Sequence, residues 1–262
     1  MTIQYCSDLH LEFADNYQWA LETDIPVNGD ILILAGDIVT FRGLKYRREK
    51  YEPFFKRLSE NFQAVYWIPG NHEYYKSDIA ENSGSFREKV FDHISLLNNQ
   101  IVQYPGLRLI FSTLWSQIEV ENEQFVFEGM MDFRLIQSGD HLLSLKQYRS
   151  LFERNLAFIE NSLTEPFDGK TIVVTHHVPT YQNYPPQYSN SKLNSGFATE
   201  LSSFIQQFHI DYWIYGHHHQ NVEDFSIGNT RLLTNQRGYI HLHECPDFDF
   251  GKFIDLPSPD NN

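Results

Sequence analysis

The chain is short of cysteine, of cationic side chains and of long apolar runs, and each shortage excludes a class of protein. Among 262 residues only Cys6 and Cys245 are cysteines, with no CxxC pair and no disulfide framework. That usage suits a reducing cytosol better than a secreted, disulfide-stapled fold. No apolar stretch approaches the ~18 residues a membrane span needs. The N-terminus, Met1-Thr2-Ile3-Gln4-Tyr5-Cys6, has neither a basic region nor a long apolar core, so no signal peptide is expected there. Lysine and arginine number 20 against 34 acidic residues, a formal charge of −14 with histidine neutral. A field of that sign repels nucleic-acid backbones and anionic membranes at long range. A cytoplasmic protein with no membrane contact is the expectation, nucleic acid is an unfavoured partner, and no obligate protein partner is evident. A small phosphate-bearing substrate stays open, provided metal ions supply local positive charge.

Hydrophobic residues make up 41% of the chain, enough for a sizeable core. Short β-rich apolar runs recur at Ile3–Cys6, Ile31–Ala35, Ala64–Ile68, Leu107–Thr113, Thr171–Thr175 and Tyr212–Tyr215. Continuous apolar runs of this length read as strands buried on both faces. Helical patterns lie between several of them, over roughly Phe41–Asn61, Ser85–Asn98, Leu145–Leu163 and Thr199–Phe208. Strands alternating with helices point to βαβ units in mixed or parallel sheets. Beyond Gly216 the pattern turns strand-like, at Val222–Ile227, Arg231–Thr234 and Tyr239–His243, with a hairpin turn at Ile227-Gly228-Asn229-Thr230. The segment Tyr181–Asn190, with Pro185-Pro186, reads as a loop and not a domain boundary.

The residues just beyond each strand are the most informative. The runs end in Asp8-Leu9-His10, Gly36-Asp37, Pro69-Gly70-Asn71-His72-Glu73, His176-His177 and Gly216-His217-His218-His219. Open α/β sheets place their ligand sites at the C-terminal ends of strands. If the strands are neighbours, these loops converge on one rim with carboxylate or carboxamide oxygens and several imidazoles. Such a set suits divalent transition metals. Each cluster alone has an ordinary explanation: an Asx-capped turn, a Gly-Asp turn, a helix cap or a solvated polar loop. The ordered recurrence of all of them is what argues for a metal site.

This series, Asp8-x-His10, Gly36-Asp37, Gly70-Asn71-His72-Glu73, His176 and Gly216-His217-x-His219, resembles the calcineurin-like metallophosphoesterase superfamily. The resemblance implies a four-layer α/β/β/α sandwich built on two mixed β-sheets, as one domain over 1–257; the terminal residues 258–262 read as a flexible tail. It implies two divalent transition-metal ions, Mn, Fe or Zn. One would be held by Asp8, His10 and His219, the other by Asn71, His176 and His217, with Asp37 bridging them. Choosing His176 over His177 follows the family habit of using the first histidine after the strand. His72 would bind no metal and would face the leaving group as the catalytic acid. His218 should point away, because neighbours in extended backbone face opposite sides. Two cations ~3.5–4 Å apart can clamp the attacking and leaving oxygens of an in-line displacement at phosphorus. The implied activity is hydrolysis of small phosphomonoesters or phosphodiesters. The rivals are a DNA exonuclease-like phosphodiesterase and a non-catalytic scaffold of the same fold.

Weaker signals surround this core. The stretch between Trp115 and Ile136 carries Glu119, Glu121, Glu123 and then Asp132-Phe133-Arg134. Read functionally, it is a flap whose Arg134 touches substrate; read plainly, it is a solvated loop whose Arg134 pairs locally. Tyr74, Tyr75, Tyr181, Tyr184 and Tyr188 could line a pocket, and so could His177, although packing accounts for the tyrosines equally well. His241 and His243, two apart on an expected strand, read as ordinary surface residues.

Overall fold

The computed structural model describes residues 1–256; the expected tail over 258–262 lies outside the described residues. Two six-stranded mixed sheets form the centre, as expected. The first runs in the order Phe253–Asp255, Thr2–Cys6, Ile31–Leu34, Ala64–Trp67, Ile94–Asn98, Phe86–Phe91. The second runs Phe225–Ile227, Thr230–Thr234, Tyr212–Tyr215, Lys170–Thr175, Leu107–Ser112, Gln100–Tyr104. The inner strands of each sheet are parallel and the edge strands antiparallel.

Strand alternation sorts the apolar side chains into separate cores. Ile3, Tyr5, Ile31, Ile33, Tyr66 and Ile68 meet Leu109, Phe111, Ile172, Val174, Ile214 and Leu233 in one cluster between the sheets. The alternate residues Leu32, Leu34, Val65 and Trp67 face outward onto Phe54, Phe55 and Leu58 of the helix Phe41–Asn61. Burial on both faces is why the strands read as unbroken apolar runs. Phe54 and Phe55 are fully buried, and truncating either to alanine would cost roughly 3–5 kcal/mol. The Phe41–Asn61 helix starts where expected because Thr40 Oγ1 accepts from the Gly43 N–H at 3.0 Å. The long helix Leu145–Thr164 starts with a capping box between Ser144 and Gln147.

Three expected elements differ. The helix expected over Ser85–Asn98 is a hairpin of Phe86–Phe91 and Ile94–Asn98, turning at His93 with φ 57°. Its apolar residues 86, 90, 94 and 97 happen to fall at helical spacing, while exposed Arg87, Glu88 and Lys89 form a charged sheet edge. The helix expected over Thr199–Phe208 shrinks to the single turn Ser202–Ile205. The strand expected at Tyr239–His243 is a 3-10 turn over Ile240–Leu242, closed by His243 in left-handed conformation. His241 and His243 therefore do not share a strand face. The hairpin turn at Gly228 is present, joining Phe225–Ile227 to Thr230–Thr234. No helix among the described residues is long and apolar enough to cross a membrane.

Candidate metal centre

The parallel strands of both sheets end on one rim, and the loops beyond them are tied together across the sheets. The Asp8 N–H donates to the Gly36 carbonyl at 2.9 Å, and the Gly216 N–H donates to the His176 carbonyl at 3.0 Å. The His217 N–H reaches from the second sheet to the Asp8 carboxylate of the first, at 3.1 and 3.2 Å. Asp8, His10, Asp37, His217 and His219 all have left-handed φ, from 48° to 83°. Such backbone is uncommon away from glycine and costs of order 1–3 kcal/mol per residue, so its clustering marks a site held in place by its surroundings. Glycine is required where those loops meet. A Cβ on Gly70 would sit 2.2 Å from Asp37 Oδ1 and 2.6 Å from His176 Nε2.

Three groups of side chains that could hold a metal result, and the third, His10, Glu12 and His72, overlaps the first at His10. Asp8, His10, Asp37 and His219 bring ligand atoms within 4.8 Å of one another, and so do Asp37, His176 and His217. Asp37 is common to both: its Oδ2 lies 3.3 Å from His176 Nε2 and 3.9 Å from His10 Nε2. In the first group His10 Nε2 and His219 Nε2 face each other at 2.8 Å, with Asp8 Oδ1 3.4 Å from His219 Nε2. The outer nitrogens of these rings meet carboxylates. His219 Nδ1 is 2.7 Å from Glu244 Oε2 and His10 Nδ1 is 3.3 Å from Glu12 Oε1. In the second group His176 Nδ1 faces the Ala35 carbonyl at 2.9 Å. His176 Nε2, His217 Nε2 and Asn71 Oδ1 are buried with no hydrogen-bond partner. Asn71 is oriented by its amide, which donates to Asp132 Oδ1 at 2.8 Å and to the Tyr75 hydroxyl at 3.1 Å.

The electrostatics follow from this arrangement. Burial disfavours charge on His219, but hydrogen bonds to Asp8 and Glu244 outweigh it and push the ring up to about 10. Burial likewise opposes charge on His176, yet Asp37 drives it up to about 9. His217 is held well below the usual histidine range by burial and by the neighbouring His177 and His176. The buried negative charge of Asp8 and Asp37 thus draws protons onto imidazoles; a divalent cation would answer the same charge with the rings neutral. Glu73 frames the loops from behind. Its oxygens accept from the N–H groups of Asp37, Ile38 and Gly70 and from Trp67 Nε1, at 2.7–3.0 Å.

His72 lies outside the two groups that share Asp37 and falls in the third, with His10 and Glu12. Its backbone N–H donates to Asp37 Oδ1 at 2.9 Å, and its Nδ1 sits 2.8 Å from Glu12 Oε1. Its Nε2 lies 3.2 Å from the Tyr239 hydroxyl, on a cavity of about 1090 Å³ that opens over the centre. His218 also stays out of both groups, its Nδ1 against the Gln236 side chain. The expected substrate contacts fare differently. Tyr74 does not reach the cavity: it is buried against Phe41 and Trp115. His177 is buried behind His217, with the rings 4.2 Å apart. Arg134 is exposed and donates to the Glu128 carbonyl, so the plain reading of a locally paired arginine applies. Tyr75, Tyr184 and Tyr188 do line the cavity. Residue-level reading overlooked Glu12, Asp132, Tyr239 and Glu244. Glu12 had a signal, standing two residues beyond His10; Glu244, 25 residues from His219, had none.

Comparisons with known proteins agree with this geometry. Residues 1–221 match the family described as calcineurin-like phosphoesterase. An uncharacterized protein of Acanthamoeba polyphaga mimivirus, L509, is 30% identical over 280 aligned positions, covering 97% of this chain and 96% of that protein. The fold is similar to that of phosphopantetheinyl hydrolase (PptH) from Mycobacterium tuberculosis. The TM-score is 0.66 at 17% identity, over 92% of this chain and 90% of that one. A further solved structure matches over 92% of this chain and 91% of its own, with a TM-score of 0.52 and 15% identity. Motifs, fold and the convergence of the strand-end loops lead to one conclusion: the chain belongs to the calcineurin-like phosphoesterase family.

Proposed function

We propose that this protein hydrolyses small phosphomonoesters or phosphodiesters with two divalent transition-metal ions, Mn, Fe or Zn. Asp8, His10 and His219 would hold one ion, Asn71, His176 and His217 the other, with Asp37 shared. The observation that carries this reading is the buried, partnerless pair of Asn71 Oδ1 and His217 Nε2, beside His176 Nε2, which faces only the shared Asp37 carboxylate at 3.3 Å. Leaving such atoms unpaired costs roughly 1–3 kcal/mol each, and a cation between them removes that cost. Imidazole, carboxylate and one carboxamide form a donor set suited to transition metals. When bound, the ions supply Lewis-acid polarisation of the phosphoryl group and neutralise its charge.

The chain's own residues supply the rest. Glu12 holds His72 Nδ1 at 2.8 Å, which fixes the ring's orientation and leaves Nε2 toward the cavity. From there His72 can protonate the leaving oxygen or donate to the phosphoryl group, a role typically worth ~10²–10⁴ in rate. Asp132 and Tyr75 fix the Asn71 amide so that its oxygen points inward. The presence of His72 on the cavity favours an enzyme over a non-catalytic scaffold, and the −14 charge disfavours a DNA substrate.

The test is metal-depleted protein reconstituted with Mn²⁺, Fe²⁺ or Zn²⁺ and assayed on mononucleotides, cyclic nucleotides, sugar phosphates and bis-p-nitrophenyl phosphate. Chelator-sensitive hydrolysis with up to two ions per chain is expected. Full activity in excess chelator, with no metal by elemental analysis, would overturn the reading.

A further inference from the structure

We infer that the substrate carries, besides the phosphate over the metal ligands, a second phosphate-type anion that binds Arg42, Arg47 and Lys76. This deepens the phosphoesterase reading and rests on it. The cavity, at about 1090 Å³, reaches the upper end of the ~300–1,000 Å³ usual for small-molecule sites and far exceeds one phosphate group. The metal centre forms its floor. Its lining includes Arg42 and Arg47 from the first turns of Phe41–Asn61, and Lys76 from just beyond the turn that carries His72.

Among the described residues, none of the three is neutralised by an acidic side chain: none has a carboxylate within 4.0 Å or an intramolecular hydrogen bond from its side chain. Lys45, on the same helix, pairs with Glu81 at 3.7 Å, and Lys56 pairs with Glu60 at 3.8 Å. In a chain with 34 acidic and only 20 basic side chains, three cations without a carboxylate partner line this one cavity. The carboxylates that share the cavity are engaged at the floor. Glu12 meets His72, Glu244 meets His219, and Asp132 meets Asn71 and Tyr75.

These cations are also held in position. Lys76 has left-handed backbone, φ 60°, and its N–H donates to the Leu135 carbonyl at 2.7 Å. Arg47 sits where the helix breaks, at φ −139° and ψ 30°, and Arg42 lies over the Tyr46 ring at 5.4 Å. Guanidinium forks match the oxygens of a phosphate and do so less well for a neutral group. The lining also includes the apolar side chains Met130, Leu193 and Phe197 and the ring of Tyr188. An organic body between two phosphates fits this lining: one phosphate on the floor, one on the three cations, the body against the apolar side chains.

The test measures binding, by calorimetry on Mn²⁺-loaded protein, of hexane-1,6-bisphosphonate against hexylphosphonate. The bisphosphonate should bind about tenfold tighter or better, and the advantage should peak within a series of longer and shorter spacers. Arg42→Ala/Arg47→Ala should close the gap, Arg42→Lys/Arg47→Lys should restore part of it, and Lys45→Ala should leave it. A gap that is absent in the wild type, survives the double alanine variant, or falls equally in Lys45→Ala would overturn the inference. Hydrolysis of bis-p-nitrophenyl phosphate separates the two readings. Hydrolysis without a gap removes the anion site alone. A gap without hydrolysis by any metal-loaded form removes the phosphoesterase reading.

Discussion

The two halves of the centre share Asp37 and are built on opposite principles. The half around Asp8, His10 and His219 is rich in negative charge. Asp8 contributes a carboxylate directly, and Glu12 and Glu244 stand behind the two imidazoles. The half around Asn71, His176 and His217 has no carboxylate of its own; its rings are backed by the Ala35 carbonyl and by the Phe197 face, 4.7 Å from His217. Its unpartnered atoms are the buried Asn71 Oδ1, His176 Nε2 and His217 Nε2. Carboxylate partners raise the basicity of a ligating imidazole, and carbonyl partners do so less. The first half should therefore bind a cation more tightly, and the second should be the one that empties first.

The sharpest way to break this comparison is to remove the residue both halves use. Asp37→Ala should abolish metal binding in both halves and reduce turnover to background, measured by elemental analysis and hydrolysis together. Its loss should also remove the ligand-linked stabilisation, ~2.7 kcal/mol at a metal concentration 100 times Kd. A lower melting temperature that no longer responds to Mn²⁺ would show this. Asn71→Ala separates the halves: metal content should fall from two ions per chain toward one, and an unchanged stoichiometry would show that Asn71 is no ligand.

His72→Ala removes a group that the proposed ligand sets leave out. Turnover should fall ~10²–10⁴-fold for an alkoxide leaving group and less for nitrophenolate, which needs little protonation. Metal content should stay at the wild-type level. Loss of metal would instead make His72 a ligand, and an unchanged rate on every substrate would favour the scaffold.

The two halves were alike in what the sequence disclosed: their candidate ligands were legible, and the carboxylates behind them were not. The strand-end clusters were legible because a doubly buried strand must stop abruptly, and polar residues packed against that stop have few structural reasons to be there. Apolar periodicity located Phe41–Asn61 and Leu145–Leu163 as helices, and the sandwich followed from the family resemblance. Periodicity failed at Ser85–Asn98, where an edge hairpin carries apolar residues at helical spacing. Residue-level reading also failed wherever contact depends on how a loop returns. In the Trp115–Ile136 segment Arg134 drew notice, yet Asp132, two residues earlier, is the side chain turned inward to Asn71. Glu244 arrives at His219 from a turn near the C-terminus that was expected to follow a strand.

Smaller substitutions behind the ligands sharpen the comparison. Glu244→Gln keeps the shape and removes the charge behind His219 Nδ1, 2.7 Å away. Outer partners of this kind are worth 10–100-fold in metal affinity. The tighter of the two binding steps should weaken by about that factor in a metal titration, while the weaker step stays in place. Equal weakening of both steps would show that the halves are not independent in the way their surroundings imply.

The smallest expected effect lies on the other side, at Asp132. Its Oδ1 accepts from the Asn71 amide at 2.8 Å and from the Tyr75 hydroxyl at 2.8 Å, and burial raises its pKa above the usual carboxylate range. It therefore orients a neutral carboxamide, where Glu244 faces an imidazole. Asp132→Asn retains an acceptor for the Asn71 amide and for the Tyr75 hydroxyl, whose oxygen accepts from that amide at 3.1 Å. A single hydrogen bond of this kind contributes ~0.5–1.5 kcal/mol, so the second, weaker metal step should shift only a few-fold. Asp132→Ala removes the acceptor and should shift that step further, with the first step unmoved. If Asp132→Asn instead weakens the tighter step, Asn71 belongs with Asp8 and His219, and the centre does not divide into these two halves.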